Sequence, residues 1–130
     1  MTWHILLVED SEFMQTNISN ALESTQQFRV TTTVTIQDAS NILTTNEEID
    51  CIITNHNLPD GNGIEFAKRL PSKSEDEYIP VVLLTSTKLE PLSQKATNAG
   101  VAEFVRKGSH AIGDMNLLAN RIKIVIKAYN

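Results

Sequence analysis

Short apolar runs alternate with amphipathic stretches along the whole chain. Trp3–Val8 is almost continuously apolar, the pattern of a strand buried on both faces. Ser11 can cap a helix running through about Ser24, with Phe13, Met14, Ile18, Ala21 and Leu22 on one face. Phe28–Thr35 is rich in valine and threonine and predicts a second strand. A short helix around Asp38–Thr45 follows, then a third strand over Cys51–Asn55. Gly63–Leu70 predicts a helix with Ile64, Ala67 and Leu70 inward. Pro71–Glu77 is polar and charged and reads as a solvated loop. Pro80–Thr85 is a fourth, strongly apolar strand. Pro91 suits the first turn of a fourth helix that ends at Gly100. Val101–Arg106 predicts the fifth strand, and a last helix runs from about Asp114 to Lys127.

Five strands alternating with five helices predict an α/β fold, a doubly wound parallel sheet covered on both faces. Right-handed crossovers leave few topologies. Ligands of such sheets sit outside the carboxyl ends of the strands. Glu9 and Asp10, Asn55, Thr85 with Ser86, and Lys107 stand at those ends. A chain of 130 residues suits one domain, 1–130, and neither a linker nor an output domain is visible. The net charge of -5, without a basic run, argues against nucleic acid as a partner. No apolar run approaches the roughly 18 residues of a membrane span. The start, Met1-Thr2-Trp3-His4-Ile5, lacks a signal-peptide layout. A lone cysteine, Cys51, excludes an internal disulfide and fits a reducing compartment, so cytoplasm is expected.

Each residue at the strand ends has a bland explanation. Glu9-Asp10 can be a helix-start charge pair, Thr85 a capping hydroxyl, and Lys107 a solvated surface charge. Their joint occurrence at one sheet edge is more specific. Two carboxylates can hold a hard divalent cation that also takes phosphate oxygens. A lysine can hold a phosphate oxygen as a point charge, and a threonine hydroxyl can hydrogen-bond another. Phosphoryl transfer needs such positioning and charge neutralisation more than covalent machinery.

The chain resembles the receiver domains of response regulators, the CheY-like family, over nearly its whole length. Ile5-Leu6-Leu7-Val8-Glu9-Asp10 is similar to their first strand and acidic pair. Asp50-Cys51-Ile52-Ile53-Thr54-Asn55 is similar to the phosphorylation strand, and Asn57-Leu58-Pro59-Asp60-Gly61-Asn62-Gly63 to the loop after it. Val81-Val82-Leu83-Leu84-Thr85-Ser86 resembles the fourth strand with its signalling hydroxyl. Gly100-Val101-Ala102-Glu103-Phe104-Val105-Arg106-Lys107 resembles the fifth, with switch aromatic and lysine. The resemblance implies a flavodoxin-like, CheY-like sheet with strand order 2-1-3-4-5. It implies magnesium held by Glu9, Asp10 and the Asn57 carbonyl. Thr85 and Lys107 would read a phosphoryl group, and Phe104 would swing with Thr85.

Two positions depart from the family pattern. Asn55 stands where the resemblance implies the phosphoacceptor aspartate. A carboxylate can attack phosphorus, whereas an amide is neutral, poorly nucleophilic and a weaker cation ligand. Magnesium binding is therefore expected to be weak, and repulsion among the carboxylates to be reduced. Asn55 is either a natural feature of a pseudo-receiver or an engineered substitution. Gly108 stands where the family has a proline joined by a cis bond. Cis bonds to other residues cost about 2.5–4 kcal/mol, so Lys107–Gly108 is expected to be trans.

The resemblance thus implies a stand-alone receiver domain in two-component phosphorelay signalling, acting by protein–protein contact and not as an enzyme. Its expected partners are a sensor histidine kinase, another receiver or a downstream effector. The last helix carries Leu117, Leu118, Ile122, Val125 and Ile126, with Ile124 off the inward face. A homodimer through the fourth helix, fifth strand and last helix is a further expectation. The alternative is a flavodoxin-like small-ligand-binding domain or enzyme using the same crevice. No glycine-rich phosphate loop follows the first strand, which counts against it. His56 is expected to point away from Asn55, His4 and His110 lack second metal ligands, and Cys51 reads as a core residue. Asn62-Gly63 reads as a turn pair.

Overall fold

The computed structural model describes residues 2–45, 48–70, 79–85, 95, 97–106 and 115–129. Among these, five strands form one parallel sheet: β1 (Trp3–Val8), β2 (Phe28–Thr33), β3 (Cys51–Asn55), β4 (Val81–Thr85) and β5 (Glu103–Arg106). Their spatial order is β2-β1-β3-β4-β5, the order expected. Helices α1 (Glu12–Glu23), α2 (Ile36–Leu43), α3 (Gly63–Arg69) and α4 (Met115–Tyr129) cover it.

Alternation along each strand supplies two cores. Ile5, Leu7, Ile53, Val82 and Leu84 face one way and pack with Ile18 and Leu22 of α1 and Leu118, Ile122 and Ile126 of α4. Leu6, Val8, Ile52 and Val81 face the other way, against Ile36 and Ala39 of α2 and Phe66 and Ala67 of α3. The near-continuous apolar runs of β1, β3 and β4 therefore serve both faces at once.

Several boundaries differ from the expected ones for local reasons. Thr35, assigned to the second strand, is the N-cap of α2, and its side chain accepts the Asp38 N–H at 3.1 Å. Phe13, expected inward, is 73% exposed. It lies nine residues before Leu22, about half a turn away at ~100° per residue. The inward stripe of α1 is Met14, Ile18 and Leu22. In α3 the buried set includes Phe66, whereas Leu70 is the C-cap and only partly buried. β4 begins at Val81 and β5 at Glu103, later than Pro80 and Val101. Lys95, Thr97 and Asn98 are helical, and Gly100 takes a φ of +87°, where the expected fourth helix ends. Pro91, the Pro71–Glu77 loop and Asp114 lie outside the described residues.

The loop that follows β3 is tied down at three points. Gly63 N–H donates to the His56 carbonyl at 2.7 Å, and Asn57 pairs with Asn62 in a two-residue antiparallel ladder. At the tip, Asp60 reaches the start of α2. Its two carboxylate oxygens accept the Ile36 N–H at 2.9 Å and the Gln37 N–H at 3.0 Å. These amides belong to the first turn of α2, which leaves such donors unmet within the helix. The Ile36 N–H, with the Gln37 N–H adding, holds the Asp60 carboxyl below its usual range. The folded-state pKa is lower than the unfolded one. The stability it contributes is therefore present above about pH 3.8 and lost as pH falls through the depressed value. Asp60→Ala should melt earlier than the parent at neutral pH, and the difference should shrink in acid. A gap between the two melting curves that stays constant through the acid range would contradict the role given to Asp60.

Candidate functional site

The sheet register levels the strand ends. Val8 pairs with Thr54 and Thr54 with Leu83, while Asn55 pairs with Leu84. One step past the first pair stand Glu9 and Asn55 on neighbouring strands, and Thr85 ends β4 beside them. Thr85 and Glu9 are fully buried, Asn55 is 7% exposed, and Asp10 and Asn57 lie at the surface. A polar cluster is thus held at the carboxyl edge of the sheet.

Its hydrogen bonds are specific. The Asn55 side-chain nitrogen donates to Asp10 Oδ1 at 3.1 Å and to the Asn57 carbonyl at 2.7 Å. Carboxylate and carbonyl oxygens only accept, so the amide nitrogen, not its oxygen, must face them. Glu9 Oε2 accepts the Ser11 N–H at 3.1 Å, and the Gln15 amide donates to the Glu9 carbonyl. Ser11 Oγ also caps α1 by accepting the Met14 N–H at 3.3 Å. Thr54 Oγ1 donates to the Asn55 carbonyl at 3.0 Å.

This arrangement bears on the expected magnesium site. A cation would take oxygens of Glu9, Asp10 and the Asn57 carbonyl at ~2.0–2.1 Å. One Asp10 oxygen and the Asn57 carbonyl already accept from one amide nitrogen, and one Glu9 oxygen accepts from a main-chain N–H. Among the described residues, no group of three or more His, Cys, Asp or Glu side chains is arranged to hold a metal ion. While Asn55 keeps this position, its nitrogen is bonded to oxygens of Asp10 and Asn57 that the expected cation would also use.

Asp10, Asn55 and Asn57 are therefore brought together directly, with Glu9 alongside and Thr85 at the adjoining strand end. Phe104 lies in β5, and its side chain is outside the described set. Lys107, Ser86, His110 and the Lys107–Gly108 bond lie outside the described residues. His56 is half-buried. Burial first, and then the positive charge of Lys95, hold its pKa below the usual histidine value. His4 is a buried structural histidine at the other end of the sheet. Its ring lies 2.7 Å from Thr31 Oγ1, 3.1 Å from the Glu48 carbonyl and 3.1 Å from the Arg29 guanidinium. Cys51 is fully buried, and burial followed by the Asp50 charge pushes its thiol far above the normal range. It carries no thiolate chemistry.

Three further residues position the site. Asp60 ties the loop to α2. Asn62 is more than a turn residue: it caps α3, accepting the Glu65 N–H at 2.9 Å. The spacing Asn62-x-x-Glu65 before an apolar run is a legible cap signal. Gly63 is needed for a close approach: a Cβ there would lie 2.7 Å from the Asn55 carbonyl oxygen and 2.6 Å from Leu83 Cδ1. That demand comes from tertiary packing and leaves no local mark beyond the glycine itself.

Residues 5–119 match the response regulator receiver domain family. The two-component response regulator ORR3 of Oryza sativa subsp. indica is 31% identical over 119 residues, 92% of this chain and 89% of that protein. The chemotaxis protein CheY homolog of Campylobacter jejuni is 29% identical over 103 residues, 79% of each. Among solved structures, the non-phosphorylated HemR receiver domain from Leptospira biflexa superposes with a TM-score of 0.79. It has 30% identity and covers 96% of this chain and 94% of that one. Fold, strand order and a family match spanning most of its length agree: the chain belongs to the response regulator receiver family of two-component signalling.

Proposed function

We propose that this receiver works by protein–protein contact and not by turnover, because Asn55 holds the position at which the family resemblance implies an acceptor aspartate. The supporting observation is the placement of Asn55 at the carboxyl end of β3, beside Glu9, Asp10 and Thr85. A neutral amide there lacks the carboxylate nucleophile that attacks phosphorus. In the family, phosphorylation shifts a two-state equilibrium through the positions that Thr85 and Phe104 match in this chain, and Lys107 matches the lysine that reads the phosphoryl group. With Asn55 that balance responds to binding alone. The partners are a sensor histidine kinase, another receiver or an effector. On α4, Leu117 is 44%, Ile124 67% and Tyr129 48% exposed, apolar area that suits such contact, including self-association.

The test is intact mass after incubation with magnesium and a small acyl-phosphate donor, on the chain and on Asn55→Asp. The expected result is a phosphoryl adduct on Asn55→Asp only. An adduct on the unaltered chain would overturn the proposal. If neither protein gains one, the crevice differs from a working receiver at more than Asn55.

A further inference from the structure

Resting on that reading of the crevice, we infer that the Asn55 amide takes the structural part of the cation, bracing the acidic edge from within and competing with any divalent ion. Its nitrogen spans Asp10 Oδ1 and the Asn57 carbonyl at 3.1 and 2.7 Å, and both are oxygens a cation would take. Each of its two protons has an acceptor, and the bond to Asp10 is charge-assisted. A cation drawn to those oxygens competes with the amide nitrogen for them. Rotating the amide to present its oxygen forfeits both hydrogen bonds and places that oxygen against a carboxylate.

The brace also joins two chain segments. Asp10 lies 45 residues from Asn55 and leads into α1, whereas Asn57 opens the loop before α3. An amide that joins them fixes the start of α1 to the loop without an ion. Simple charge counting says only that fewer carboxylates bind a cation more weakly. A competing brace says more: deleting the amide, with no charge added, improves cation binding.

That difference gives the experiment. Manganese binding would be followed by titration calorimetry, and melting temperature with and without magnesium, all at constant ionic strength. The proteins are the unaltered chain, Asn55→Ala and Asn55→Asp. The unaltered chain should melt at the same temperature with or without magnesium. Asn55→Ala should melt earlier without metal and bind manganese roughly tenfold tighter than the unaltered chain, the scale of one charge-assisted hydrogen bond. Asn55→Asp should be the least stable without metal and the most stabilised by it. Manganese binding by Asn55→Ala that is equal to or weaker than that of the unaltered chain overturns the brace, whatever Asn55→Asp does. If Asn55→Asp binds no manganese, the receiver reading of the crevice fails instead, so the two failures are distinguishable.

Discussion

Alanine at Gly63 should destabilise the fold by roughly 3 kcal/mol, the upper range for forcing extra volume into a packed site. The added Cβ would sit 2.6 Å from Leu83 Cδ1, 2.7 Å from the Asn55 carbonyl oxygen and 3.2 Å from Thr54 Cγ2. The leucine methyl can swing aside. The carbonyl cannot, because it belongs to the last residue of β3 and accepts the Thr54 hydroxyl. The clash would push α3 away from the sheet and strain the Gly63 N–H bond to His56. Gly100 provides the contrast. A Cβ there meets nothing within 4 Å, but its φ of +87° disfavours any L side chain. Gly100→Ala should therefore cost only about 1–2 kcal/mol of backbone strain. Urea unfolding of both variants checks the pair. Equal losses would mean that close approach does not distinguish Gly63.

Phe66→Ala should cost about 3–5 kcal/mol, a large share of the ~5–15 kcal/mol that holds a domain of this size. Phe66 is 2% exposed and packs in the core between α2, α3 and the sheet. It also lines a groove of about 480 Å³ between α2 and α3, with Ile36, Leu43 and Leu70. An alanine would join a new void to that groove. Phe66→Leu keeps most of the volume and should lose well under half as much. Thermal and urea unfolding give the comparison. A loss below about 1 kcal/mol for alanine would mean that α3 is held by other contacts.

The parts of this protein read correctly from sequence are those governed by short-range periodicity. β1, β3 and β4 announce themselves as apolar runs, and Ser11 announces the start of α1. The crevice residues Glu9, Asp10 and Asn55 were legible because a parallel sheet sends every strand end to one edge. Phe13 misled because it is apolar and next to Met14, although a single step of ~100° takes it off the inward stripe. Phe66 is not legible as a core residue because α3 is too short, at seven residues, to show a clear period. The direction of the Asn55 amide was beyond reach. Sequence indicates a weaker cation ligand, and only the positions of Asp10 and the Asn57 carbonyl reveal a donor aimed at both.

The order β2-β1-β3-β4-β5 leaves β2 and β5 as the outer strands among the described residues. An outer strand is a template on which another chain can add its own. Both are ill suited to it. β2 is six residues long and carries an exposed Arg29 and a run of threonines, Thr31 to Thr33. β5 is four residues long, with Glu103 and Arg106 at its ends. A four-residue rim offers little template, and the exposed charge on β2 disfavours pairing with a like strand. On the function proposed above, contact with other proteins would then fall to side-chain surfaces on the helices, where recognition can be made and broken without templating aggregation.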